Sequence, residues 1–225
     1  MVFKIGIDDA GRGPVIGPMV LAGVLVDEKQ EAKLRLIKVK DSKLLSPQRR
    51  EFLAKEIKKI VTASMVLKIS ASEIDGFLAK KINLNKVEAI KAAEIINILT
   101  KNILKAQVII DCPSNNITAW QNYLIGHIAS KEKVIIKCEH KADVNHPVVS
   151  AASILAKVTR DKEIDRIKKQ YGVECGSGYP SDPLCVKFLK TPKAKELAKL
   201  GLIRKSWQTW SRDNRKQGQK KLIEF

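Results

Sequence analysis

Apolar positions fall along this chain in two rhythms. The first is a set of short runs bounded by charge or glycine, at 2–7, 15–26, 61–71, 107–112 and 133–137. Runs of this length between turn residues predict β-strands. The second rhythm repeats every three or four residues and predicts helices. Ser46 before Pro47 is a capping residue ahead of a good first helical residue, so a helix is expected over 47–60 with Phe52, Leu53, Ile57 and Ile60 facing inward. A short helix is expected over 71–80. Asn85 with Glu88 three residues on has the form of a capping box, and Val87, Ile90, Ile96, Leu99 and Ile103 continue a helix over 86–104. Trp120, Leu124 and Ile128 mark one face of a helix over 114–130. Pro147 opens another that reaches residue 170, in which Ala151, Ala152, Ser153 and Ala156 are small enough for close packing on a sheet. Farther on, Phe188, Leu189, Leu197, Leu200, Trp207 and Trp210 fit two or three short helices.

Composition narrows the class. A chain of 225 residues can bury a sizeable core, and one domain with a modest extension is the natural expectation. Lys and Arg number 42 against 24 Asp and Glu, a formal net charge of +18. A lysine-rich thermophile surface usually balances Lys with Glu, so this excess points to a polyanionic partner, with nucleic acid ahead of a membrane surface. No run approaches the ~18 apolar residues of a membrane-spanning helix, and no signal-peptide layout is present, so a cytoplasmic protein is expected. Cys112, Cys138, Cys175 and Cys185 lack the paired spacing of a zinc site. Reduced, partly buried thiols are expected, with a Cys175–Cys185 bridge as the alternative.

The candidate chemistry starts in residues 5–18, which read Ile-Gly-Ile-Asp-Asp-Ala-Gly-Arg-Gly-Pro-Val-Ile-Gly-Pro. Asp8 and Asp9 end an apolar run, and paired carboxylates at a strand end suit Mg²⁺ or Mn²⁺, which prefer hard oxygen ligands. Arg12 stands between two glycines that let a ligand approach the backbone, a setting for phosphate. Asp111 likewise ends a short apolar run, and the carboxyl ends of strands are where α/β sheets build sites. Asp143 lies just upstream of the helix opened by Pro147. His127, His140 and His146 fit packing or capping better than catalysis.

The stretch 5–18 resembles the signature of the type 2 ribonucleases H, the ribonuclease HII family, with Asp9 where that pattern carries Glu. Asp41-Ser42-Lys43, Lys141-Ala142-Asp143, the run from Pro147 to Ser153 and Gly178-Tyr179-Pro180 resemble the family in the same order, over nearly the whole chain and closest to its archaeal branch. The resemblance implies a ribonuclease H-like α/β fold, a five-stranded mixed sheet flanked by helices with a C-terminal helical extension. It implies a catalytic domain over 1–175, a junction-reading loop and basic helical region over 176–212, and a mobile basic tail over 213–225. Asp8, Asp9, Asp111 and Asp143 would be catalytic and would hold two Mg²⁺ or Mn²⁺ ions during hydrolysis. Gly11, Arg12, Gly13 and Lys43 would contact substrate, and Tyr179 would stack on a sugar at an RNA–DNA junction.

Its implied activity is cleavage of the RNA strand of RNA/DNA hybrids, and 5′ of ribonucleotides embedded in duplex DNA, leaving a 3′-hydroxyl and a 5′-phosphate. Asp9 reaches about 1.5 Å less far than Glu, so activity lowered or shifted toward Mn²⁺ is expected. Residues 187–221 hold twelve basic and two acidic side chains, the expected duplex-holding surface. Gln219, Leu222 and Phe225 resemble a sliding-clamp docking motif, without its usual second aromatic. A monomer is expected. Two other classes stay open: a catalytically silent nucleic-acid-binding protein, and another metal-dependent nuclease on the same fold.

Overall fold

The computed structural model describes residues 3–39 and 45–211. Lys43 and the segment 213–225, with Gln219, Leu222 and Phe225, lie outside the described residues. By its own contacts the chain divides into two compact units, neither of them continuous in sequence. The first comprises 1–10, 20–68 and 83–159, and the second 11–19, 69–82 and 160–225.

The first unit is built on a five-stranded mixed sheet, as expected. Its strands are β1 (Phe3–Ala10), β2 (Met19–Val26), β3 (Ala63–Ile69), β4 (Ala106–Asp111) and β5 (Val134–Glu139), in the spatial order β3-β2-β1-β4-β5. β1 pairs with β2 antiparallel and with β4 parallel, and β4 pairs with β5 parallel. β2 is buried along its whole length, which is why it reads as an unbroken apolar run. Its core joins Val20, Val24 and Ile109 of the sheet to Leu53, Ile57, Val148, Ala152 and Leu155 of helices α2 (Pro47–Ile60) and α7 (Pro147–Tyr171). Gly6 of β1 is where the backbones come closest, since a Cβ there would stand 2.4 Å from the Val148 carbonyl.

Several boundaries differ from the sequence reading, each for a local reason. Helix α1 (Glu28–Leu36) was not anticipated, yet Asp27 and Gln30 close a full capping box at its start. On α2, Arg50, Leu53, Ala54 and Ile57 form the buried stripe. Phe52 falls off that stripe, is 51% exposed, and lies beneath the Arg49 guanidinium. Helix α3 (Ala71–Ala79) is close to its expected span. Helix α4 (Leu84–Leu99) is capped by Asn83, not Asn85, because the Asn83 side chain accepts the Lys86 N–H at 3.0 Å. It ends at Thr100, so Ile103 lies outside it. Helix α5 (Ile117–Ile125) likewise stops short of Ile128, which is buried nonetheless.

The second unit has its own core of Val15, Ile16, Ile164, Ile167, Phe188, Leu197 and Ile203. Val15 and Ile16 are therefore not the start of β2. Their N–H groups donate to the Gly178 carbonyl at 2.9 and 3.3 Å. Pro183–Leu189 and Pro192–Lys199 form the short helices α8 and α9, capped by Asp182 and Thr191. A four-residue helix, α6 (Ala142–Asn145), precedes α7. All four cysteines are buried and free, so Cys175 and Cys185 are not bridged. No described helix is long and apolar enough to cross a membrane.

Candidate active site

The acidic site grows from two adjacent parallel strands. In the β1–β4 ladder Ile7 aligns with Ile110, so one residue further the register brings Asp8 opposite Asp111. Both strands run the same way, and both therefore deliver a carboxylate at the same carboxyl edge. Asp8, Asp9 and Asp111 line one small pocket there, together with Glu88, Pro113 and Trp120. The Trp120 indole donates to the Asn85 carbonyl at 2.9 Å and holds that wall in place.

Asp8 is 6% exposed and accepts the Asp9 N–H at 2.7 Å. Burial drives its pKa well above the usual carboxylate range, and the charges of Asp9 and Asp111 push the same way. A hydrogen bond from Ser153 on α7 and the Asp9 N–H oppose that rise. Asp111 accepts the Ala142 N–H at 3.1 Å, so the start of α6 is tied to the end of β4. The turn that makes this possible puts Lys141 in the left-handed region, at φ 57°. Asp143 follows Ala142 directly, is 5% exposed, and its carbonyl accepts the Ser150 hydroxyl. It is not among the residues lining the pocket.

His146 bonds Glu139, and His140 contacts the Cys112 carbonyl at 3.0 Å, so both histidines brace this edge. As the side chains stand, no three carboxylate, imidazole or thiol groups among the described residues converge on one point to hold a cation. Asp8 and Asp111 each give an oxygen to a backbone N–H instead. The donor set nonetheless fits a divalent cation. It offers hard oxygens, and the buried Asp8 carboxyl resists ionisation, through burial first and through the neighbouring charges of Asp9 and Asp111 after it. Glu88 was missed by sequence reasoning. Assigned to a capping box, it proves 2% exposed and on the pocket wall.

The second unit holds Gly11, Arg12, Gly13 and Tyr179 of the other expected contacts. Gly11 sits at φ +87°, where a Cβ would meet the Pro18 carbonyl at 2.8 Å, so only glycine fits. Gly13 packs at the Tyr179 ring, 3.6 Å from where its Cβ would be. Tyr179 lies over the guanidinium of Arg160, 4.9 Å from the ring centre, and Arg160 donates to the Ser177 carbonyl. Arg160 is itself 2% exposed, and its Nε has no hydrogen-bond partner among the described residues. Asp182 braces the same loop by accepting from the N–H and hydroxyl of Ser177, which hold its pKa down at about 2.

The family model for ribonuclease HII matches residues 5–210. The chain belongs to that family. Ribonuclease HII of Pyrococcus furiosus is 44% identical over 204 residues, covering 91% of this chain and 88% of that one. Among solved structures, ribonuclease H2 from Pyrococcus horikoshii superposes with a TM-score of 0.78 at 36% identity, covering 94% of this chain and 96% of the other. The RNase HII of the Archaeoglobus fulgidus PCNA:RNase HII complex does so with 0.77 at 39% identity, covering 92% and 96%. The fold is thus ribonuclease H-like, and the protein is a ribonuclease H, a metal-dependent endoribonuclease. Ribonuclease HII membership also accounts for the sign of the net charge, since the substrate is a polyanion.

Proposed function

We propose that this ribonuclease H hydrolyses the RNA strand of RNA/DNA hybrids and cuts 5′ of a ribonucleotide embedded in duplex DNA, leaving a 3′-hydroxyl and a 5′-phosphate. The observation that carries the reading is the meeting of Asp8, Asp9 and Asp111 in one pocket, with Asp8 held in a state that calls for positive charge. Asp143, one residue from the N–H that anchors Asp111, completes the set of four. These carboxylates would hold two Mg²⁺ or Mn²⁺ ions, which when bound supply charge neutralisation, activation of the attacking water and stabilisation of the departing oxygen. The chain's own part is orientation. The Asp9 N–H and Ser153 fix one rotamer of Asp8, and the Ala142 N–H fixes one oxygen of Asp111.

Ribose is read by the second unit. Gly11, Arg12 and Gly13 contact the 2′-hydroxyl and the phosphate, Lys43 another phosphate, and Tyr179 stacks on the next deoxyribose, where an extra hydroxyl would clash. Support comes from Arg160, which holds the Tyr179 ring from beneath against Gly13. Gln219, Leu222 and Phe225 dock on a sliding clamp, a reading supported by the complex of the Archaeoglobus fulgidus relative with PCNA.

One labelled-duplex assay tests the activity. Its substrates are a duplex with a single ribonucleotide, a uniform hybrid and an all-DNA control, each in Mg²⁺, Mn²⁺ and EDTA. The expected result is a nick 5′ of the ribonucleotide in either metal, none in EDTA and none in all-DNA. Asp9→Glu is expected to raise the Mg²⁺ rate more than the Mn²⁺ rate, and Tyr179→Ala to lose the preference for the single ribonucleotide over the hybrid. Equal cutting of all-DNA would leave a ribose-blind nuclease; binding without cutting in any metal would leave a silent binding protein.

A further inference from the structure

Arg204 has a fully buried side chain in the second unit. Burying a guanidinium is costly unless its N–H groups are satisfied. Here they are spent on one short stretch of backbone. Nη2 donates to the Gly11 carbonyl at 2.6 Å, Nη1 to the Arg12 carbonyl at 2.7 Å and Nε to the Gly17 carbonyl at 3.3 Å. Trp207 takes the next carbonyl, its indole N–H donating to Gly13 at 3.0 Å, and its ring lies over the Arg204 guanidinium with 4.8 Å to the ring centre. The two side chains come from one turn, closed by the Trp207 N–H on the Arg204 carbonyl at 3.2 Å. Asp75 pins that turn through the N–H groups of Lys205 and Ser206 and the Ser206 hydroxyl.

Peptide planarity converts these anchors into an orientation. In a trans peptide the carbonyl of one residue and the N–H of the next point in opposite directions, and no described peptide bond is cis. With the Gly11 and Arg12 carbonyls turned onto Arg204, the N–H groups of Arg12 and Gly13 point away from it. The third anchored carbonyl, that of Gly13, precedes Pro14, which has no N–H to present. The anchored stretch thus aims two N–H groups outward and then stops.

We infer that Arg204 and Trp207 are positioning residues for ribose recognition, holding the Gly11–Arg12–Gly13 backbone from behind so that the Arg12 and Gly13 N–H groups meet an oxygen of the ribonucleotide. The inference rests on the assignment of that turn to substrate under the proposed function. Neither side chain touches the reacting atoms, so their loss acts on recognition.

The test is a KM for the single-ribonucleotide duplex, a KI for the identical all-DNA duplex as competitor, kcat, and a melting curve, all in Mn²⁺. Arg204→Gln is expected to raise KM about tenfold with KI and kcat little changed, because a displacement of about 1 Å is enough to lose an aligned hydrogen bond. Arg204→Lys, which can still reach one carbonyl, is expected to recover part of that loss. Trp207→Phe keeps an aromatic ring by the guanidinium, removes the donor to Gly13 together with the five-membered part of the indole, and is expected to raise KM several-fold. It decides the matter if Arg204→Gln does not fold. Folded variants with the parent's KM and KI overturn the positioning role, as does a loss seen only in melting. If the unaltered chain itself shows KM equal to KI, ribose reading by this turn is wrong and the inference falls with it.

Discussion

Asp8 occupies a place where an ionised carboxylate is poorly tolerated, buried and facing two others. An asparagine there would keep the oxygen that accepts the Asp9 N–H and drop the charge. Asp8→Asn is therefore expected to abolish cleavage yet raise thermal stability in EDTA, by roughly 2–4 °C for each kcal/mol of repulsion removed. Calorimetric melting of both forms with and without Mn²⁺ checks this, and Mn²⁺ should stabilise the parent more than the variant. Asp8 and Asp111 were legible in the sequence because each closes an apolar run, and a strand end is a place as well as a pattern. Glu88 was hidden by a two-residue error in the helix cap, which turned a wall of the pocket into a capping side chain. Arg204 was hidden more deeply. Within a run rich in Lys and Arg nothing local separates a buried guanidinium from a solvated one; only its distant carbonyl partners do.

At the scale of elements, the sheet and its long helices followed from periodicity, and α2 matched its expected span residue for residue. One exception has a tertiary cause. Val15 and Ile16 read as strand because they are apolar, but they bury against other segments of the second unit, a tertiary choice that a run of hydrophobicity cannot announce. Gly6 shows the opposite case, a glycine inside a strand that marks a close approach. A Cβ would sit 2.4 Å from the carbonyl carbon and oxygen of Val148 and 2.5 Å from the Val149 nitrogen, and backbone cannot move aside as a side chain can. Gly6→Ala is expected to cost about 3 kcal/mol or more, a fall in melting temperature of roughly 6–12 °C. A denaturation midpoint shifted by that amount with an unchanged slope would mark the loss as one of packing alone.

For the molecule as a whole, a charge of +18 supplies attraction to any nucleic acid, while recognition must come from the few fixed contacts. The segment 187–221 carries ten of those eighteen charges, twelve basic residues less two acidic. Removing residues 219–225 is expected to leave cleavage of a free duplex within about twofold and to eliminate clamp binding by titration calorimetry. An unchanged binding isotherm would show that Gln219, Leu222 and Phe225 take no part. The bond between Gly11 and Arg204 spans 193 residues, and the second unit gathers segments from near both ends of the chain. On a ribosome adding about 5–20 residues each second, the turn at Gly11 waits some tens of seconds for its buttress to be made. A nascent chain therefore leaves the tunnel carboxylates first and buttress last, and a prematurely terminated product lacking residue 204 would carry its acids with the Gly11 and Arg12 carbonyls unanchored.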